Sequence, residues 1–312
     1  MFGADREART TAFEMRKFRS LLETLPFSAL PPAAPEAVVL VGHSLQDHAK
    51  VATGAFILAQ QAGFQVSFQE GRQTLKDAPL YLLPSAIGKA GLSSRNWAEL
   101  RERVQAGATL YLSMDDVYVD HLGEVFGAEV RSRYTDPAAG AFQFDLPGGP
   151  VRLALPVKNV FEMRAISAEV LGKDDAGRPA FFASHFGKGK VFLLNFPLER
   201  LMMETPSAFR SPPGEDAWKL YRLFSVELLR SHVLHKEQPL LSVSEHLLEP
   251  TSLAAIAINN SPGEIEAELA ITGGWRYSRC IPDHPEVSPQ EEKLTFNLGP
   301  NEGVVLLLER NV

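Results

Sequence analysis

A chain of 312 residues with 31 Lys and Arg against 38 Asp and Glu carries a formal charge of −7, which offers nucleic acid no attraction. Its 45% hydrophobic and 22% charged residues make a globular composition, with length for two domains at about 150 residues each. The single cysteine, Cys280, excludes an intramolecular disulfide and a thiolate zinc site. A charged amino end and the lack of any apolar run near the ~20 residues of a membrane span lead us to expect a cytoplasmic protein with no membrane segment.

In chain order, Ala8 to Leu25 sets Met15, Phe18, Leu22 and Leu25 at helical steps, and Pro26 ends that helix. The prolines at 26, 31, 32 and 35 make a stiff connector, so residues 1–35 read as a connector helix and linker. Ala37 to Val41 is an apolar β run of the kind buried on both faces of a parallel sheet. Asp47 is expected to cap a helix carrying Val51, Ala55, Leu58 and Ala62, which Gly63 stops. Strands over Gln65–Gln69, Pro79–Leu83 and Ala108–Leu112 follow, with a helix between the last two, capped by Ser93 and carrying Trp97, Leu100 and Val104 up to Gly107. This alternation predicts an α/β fold with a flavodoxin-like, doubly wound parallel sheet.

From Ala128 to Leu198 the pattern is mostly β. Phe142, Phe144 and Leu146 alternate with polar residues and pair with Val151–Leu155 across Pro147-Gly148-Gly149-Pro150, and Gly187-Lys188-Gly189 joins Ala180–Phe186 to Lys190–Asn195. A helix is expected from Asp216 to near His235. Six short strands between Leu241 and Glu309, with turns such as Asn260-Ser261-Pro262-Gly263 and Gly299-Pro300-Asn301-Glu302-Gly303, predict a small all-β sandwich. The domain spans are therefore expected to be 36–237 and 238–312.

Motifs for chemistry are sparse. Gly187-Lys188-Gly189-Lys190 lacks the spacing and the strand-to-helix setting of a phosphate loop, and Val41-Gly42-His43-Ser44 replaces any dinucleotide fingerprint, so no cofactor is expected. No metal-ligand spacing links the histidines; His232 and His235 read as residues of a helix end. Ligands of doubly wound sheets bind at the carboxyl ends of the strands. That makes His43, Asp47, Ser113, Asp115 and Asp116 the candidate crevice, although Leu112 and Met114 around Ser113 are not the glycines of a nucleophile elbow.

The run Ala78-Pro79-Leu80-Tyr81-Leu82-Leu83-Pro84-Ser85, then Leu92-Ser93, Trp97, Leu100 and Val104 through Ser113, resembles the glutamine-amidotransferase-like β-galactosidase trimerisation domain. Gly187 to Val191 and the terminal Gly303 to Glu309 resemble the carboxyl-terminal parts of the same glycoside hydrolases, so the resemblance runs from about Ala37 onward. It implies an amidotransferase-like domain and a β-sandwich that follow a catalytic (β/α)₈ barrel. A barrel takes roughly 250 residues and 36 precede the first strand here, so no barrel and no catalytic residue is carried over. The amidotransferase cysteine is also missing, because Cys280 lies in the wrong domain. The resulting expectation is a non-catalytic accessory module of a glycoside hydrolase that supports oligomerisation or shapes a carbohydrate cleft, with self-association and a glycosidase barrel as partners. The alternative is a small hydrolase using Ser113, His43 and an Asp. The sugar and the oligomer number are not legible.

Overall fold

The computed structural model describes residues 10–27, 29–33, 35–42, 45–86, 92–116, 119–135, 140–211, 214–282, 288–290 and 292–310. The chain forms two compact units, Ala34–Ser231 and a second made of Met1–Ala33 with His232–Val312. The described elements begin with α1 (Thr10–Thr24), β1 (Ala37–Val41), α2 (Leu45–Ala62), β2 (Val66–Glu70), β3 (Leu80–Ala86), α3 (Ser94–Ala106), β4 (Thr109–Met114) and α4 (Leu122–Phe126). Strands β5 (Ala128–Thr135), β6 (Ala141–Leu146), β7 (Gly149–Ala154), β8 (Asn159–Ala165), β9 (Glu169–Asp174), β10 (Pro179–Phe186) and β11 (Gly189–Leu194) precede α5 (Leu198–Glu204) and α6 (Trp218–Leu229). The remaining strands are β12 (Leu234–Lys236), β13 (Leu241–Glu249), β14 (Ser252–Asn259), β15 (Ile265–Ile271), β16 (Trp275–Ile281), β17 (Ser288–Gln290), β18 (Lys293–Leu298) and β19 (Gly303–Arg310).

The larger unit is built on one nine-stranded sheet in the order β2-β1-β3-β4-β11-β10-β9-β6-β7. Strands β2, β1, β3, β4 and β11 pair in parallel. The expectation of a parallel sheet holds for these five alone, because β10, β9, β6 and β7 continue the sheet antiparallel. Both hairpins read from the sequence belong to that extension, with Phe144 opposite Val151 and His185 opposite Lys190.

Side chains alternate across this sheet with period two, so the central strands feed two cores. Ala37, Val39, Leu80, Leu82 and Tyr111 join α2 and α6 on one face. Val38, Leu40, Tyr81, Leu83 and Leu110 join α3 on the other. The Ser93 hydroxyl accepts from Asn96 N at 3.1 Å and caps α3, and Gly107 at φ 134° ends it, as the sequence leads one to expect. Helix α2 starts at Leu45, which places Asp47 inside its first turn rather than at the cap.

In the second unit two four-stranded antiparallel sheets, β12-β15-β18-β17 and β13-β14-β19-β16, enclose one apolar core with Leu269 and Leu294 from one and Ala255 and Leu306 from the other. Cys280 is buried in that core. The sequence expectation of a helix running to His235 is corrected here: α6 ends at Leu229, and Leu234–Lys236 pairs with Leu269–Ile271. Helix α1 forms where the sequence reads it and ends before Pro26. Leu21, Leu25, Phe27 and Leu30 pack on Ala254, Ile281 and Val305, whereas Met15, Phe18 and Leu22 are about half exposed at 48%, 54% and 48%.

Candidate functional site

The carboxyl ends of β3 and β4 gather polar groups that are almost wholly buried. Tyr111 and Ser113, two residues apart on β4, point to the same face. There they meet Glu199 from the first turn of α5, which is 0% exposed. Its Oε1 accepts from the Tyr111 hydroxyl at 2.9 Å and the Tyr221 hydroxyl of α6 at 2.8 Å. Its Oε2 accepts from Ser85 Oγ at 2.8 Å and Ser113 Oγ at 2.5 Å. Four neutral donors therefore surround one carboxylate, and no described lysine or arginine pairs with it. Burial first, then the charge of Glu199, pushes the hydroxyls of Tyr111 and Tyr221 well above the usual tyrosine range, so both stay donors.

Ser85 closes the network. It lies in the left-handed region, φ 43°, at a position where a non-glycine residue is costly. Its N–H donates to Ser113 Oγ at 2.5 Å, and its own Oγ also accepts from Arg200 N at 3.2 Å. Helix α2 comes equally close: a Cβ on Gly54 would lie 2.7 Å from the Glu199 carbonyl oxygen.

Arg200, the residue after Glu199, forms an ion pair at 2.6 Å with Asp115, the first residue past β4. The Asp115 side chain is 3% exposed and that of Arg200 34%. Burial pushes the Asp115 carboxyl up to about 6, against the pull of Arg200, with Asp116 and Glu204 adding to the rise and Arg133 opposing it. The backbone carbonyl of Asp116 accepts from Arg133 at 3.0 Å.

Of the residues expected at the crevice, the structure brings Ser113 and Asp115 together at the end of β4. Asp116 follows them in the same loop. His43 lies outside the described residues, as does the side chain of Asp47. Sequence reasoning missed Ser85, Tyr111, Glu199 and Tyr221. Glu199 is 86 residues from Ser113 and 114 from Ser85 in the chain, and only the fold joins them. Chemically the arrangement is a closed hydrogen-bond hub: Ser85 is 1% exposed and Ser113 0%, so neither hydroxyl meets solvent. Among the described residues no three His, Cys, Asp or Glu side chains are grouped to hold a metal ion, and no helix is long and apolar enough to cross a membrane.

No family model matches the sequence, and no curated protein does. Solved structures do match in fold. A catalytic mutant of a GH42 β-galactosidase from G. stearothermophilus superposes with a TM-score of 0.61 at 15% identity, over 99% of this chain and 45% of that one. The α-L-fucosidase isoenzyme 2 from Paenibacillus thiaminolyticus gives 0.67 at 11% identity, over 98% and 53%. A β-galactosidase from the Antarctic haloarchaeon Halorubrum lacusprofundi gives 0.63 at 14% identity, over 98% and 44%. The fold is thus one that glycoside hydrolases contain, and this chain spans about half the length of the enzymes it matches.

Proposed function

We propose that this chain is a non-catalytic accessory module of a glycoside hydrolase, a flavodoxin-like, amidotransferase-related domain with a β-sandwich, which supports assembly or shapes a carbohydrate cleft. The five parallel strands in the order β2-β1-β3-β4-β11 favour the flavodoxin-like reading. The observation that carries the non-catalytic reading is the state of the strand-end groups. Ser85 and Ser113 donate inward to a carboxylate that is itself 0% exposed, so the hydroxyls are consumed in structure and face no substrate. Glycoside hydrolysis needs two carboxyl groups flanking a bond, whereas Glu199 is enclosed by hydroxyls and Asp115 is paired with Arg200.

Assays of the purified chain with aryl β-galactosides and aryl α-fucosides are expected to give no turnover. Turnover that disappears in a single carboxylate variant would overturn the reading. A serine-directed fluorophosphonate probe tests the hydrolase alternative, with no labelling of Ser113 expected. Labelling that Ser113→Ala abolishes would establish a nucleophile there.

A further inference from the structure

Helix α6 covers only part of the sheet face on which it packs. On that face Ala183 of β10 stands between Glu169 of β9, its partner on one side, and Phe192 of β11, its partner on the other. His185, two residues along β10 and so on the same face, stands opposite Lys190. Ala183, Leu171 and Phe192 all pack into the core that α6 shares, which fixes the face on which the group lies. A methyl group at the centre of longer side chains leaves a hollow of about 420 Å³, within the ~300–1,000 Å³ of small-ligand sites. Helix α6 walls one side of it: Phe224 lies 5.8 Å from Phe192 between ring centroids, and Glu227, one turn on, pairs with Lys190 at 3.7 Å. The hollow sits at the amino end of β11, whereas Leu194 at the other end of that strand pairs with Ser113 of the Glu199 hub. Glu169 and His185 are exposed, and neither side chain has an ionic or hydrogen-bonded partner among the described residues.

We propose that this hollow is a binding site for a neutral sugar ring. Its lining sets a carboxylate, an ammonium and an imidazole around an apolar floor, and that mixture selects the ligand. A phosphate or carboxylate would meet Glu169, while the ammonium that should attract it is already shared with Glu227. An amine would meet Lys190. A sugar carries no charge, and each of its hydroxyls both donates and accepts. One hydroxyl can therefore donate to Glu169 while its neighbours accept from Lys190 Nζ, and the His185 ring can serve in either sense. The C–H groups of the ring then lie over Ala183 and the edge of Phe192. The inference goes beyond the accessory reading, because binding here needs no catalytic group. Turnover by the chain would overturn that reading, whereas silence in a binding titration would overturn this one.

Nuclear magnetic resonance titration of the isotope-labelled full chain with galactose, glucose, mannose and fucose is the test. At least one sugar is expected to shift the amide signals of Glu169, Ala183, His185 and Lys190, with a dissociation constant of about 1–10 mM. Glu169→Ala and His185→Ala alter exposed side chains, so each should weaken that binding at least about tenfold with an unchanged melting temperature. Ala183→Leu fills the hollow and should abolish binding; the two exposed variants keep the test readable if this change disturbs the core. The uronate and the amino form of the sugar that binds carry the same ring with either charge, and both should bind more weakly. No shift from any of the four sugars at about 50 mM overturns the proposal. So do shifts that map to other residues, binding untouched by both Glu169→Ala and His185→Ala, or a charged form that binds more tightly than the neutral one.

Discussion

Two buried polar hubs, one in each unit, are satisfied in opposite ways. In the β-sandwich unit Asn259 is 0% exposed and ties down its neighbouring turns through backbone groups. Its Nδ2 donates to the carbonyls of Gly263, Leu298 and Gly299 at 2.7–3.1 Å, and its Oδ1 accepts from Ser261 N at 2.7 Å. In the α/β unit Glu199 is equally buried but is held by four side-chain hydroxyls drawn from β3, β4 and α6. A neutral amide bonded to backbone keeps its partners whatever the neighbouring side chains are. A carboxylate bonded to hydroxyls depends on each of them, because an ion left short of donors in the interior is costly.

The largest effect is therefore expected at Glu199. Glu199→Ala strips four hydroxyls of their acceptor and leaves a void where β3, β4, α5 and α6 meet. A loss of about 3–5 kcal/mol, from the void and from buried hydroxyls left without their acceptor, should be read from urea unfolding. Glu199→Gln should fall between the variant and the wild type, since it keeps the volume but puts an NH₂ donor against hydroxyl donors. If Glu199→Ala changes stability by less than about 1 kcal/mol, the hub contributes nothing to the fold and its closure needs another explanation.

The sandwich hub should respond less. Asn259→Ala removes one side chain's bonds, but Gly263 and Gly299 stand in turns whose carbonyls water can reach, so about 2 kcal/mol is expected. The comparison sharpens with Asn259→Asp, which keeps the acceptor to Ser261 N and loses the donors to three carbonyls. It should be the worse of the two above neutral pH, where a buried charge joins the lost bonds. Equal stabilities for Asn259→Ala and Glu199→Ala would dissolve the distinction between the two kinds of hub.

The same contrast governs what could be read from the sequence. The turns held by Asn259, Asn260-Ser261-Pro262-Gly263 and Gly299 to Gly303, announce themselves because turn chemistry is local and residue-specific. The Ser93 cap, the Gly107 stop and the apolar runs of β1, β3 and β4 were legible for the same reason. Glu199 was not. In Asn195-Phe196-Pro197-Leu198-Glu199-Arg200 it looks like an acid on a solvated first turn, and nothing local reports that three hydroxyls from β strands and one from α6 will reach it. Ser113 and Asp115 were found through the general rule for strand ends. Ser85 lies two residues past the strand read over Pro79–Leu83, and nothing local reports its left-handed backbone. The strand Leu234–Lys236 was mistaken for helix because three residues carry no period of their own, and its pairing with Leu269–Ile271 decides its conformation.

The smallest expected effect lies at the rim of the hub, where Asp115 and Arg200 show what partial solvent access does to the same chemistry. The folded-state carboxyl of Asp115 is raised to about 6 from 3.8, chiefly by burial. A carboxyl raised on folding binds its proton more tightly in the native state, so the stability it contributes is fully present below about 3.8 and is lost as the pH rises through about 6. Two pKa units correspond to about 3 kcal/mol. The Arg200 side chain is 34% exposed, and screening on that side reduces the expectation to about 1 kcal/mol. Unfolding free energies of wild type and Asp115→Asn, measured between about pH 4 and pH 8, isolate the contribution. The wild type should lose about 1 kcal/mol more than the variant as the pH rises across that window. The direction is the opposite of that given by an acid whose salt bridge outweighs its burial, which would lose stability on acidification. Parallel pH curves, or a wild type that gains on the variant as the pH rises, would mean that Arg200 rather than desolvation governs Asp115, and that the rim behaves as a surface ion pair and not as the outermost layer of the Glu199 hub.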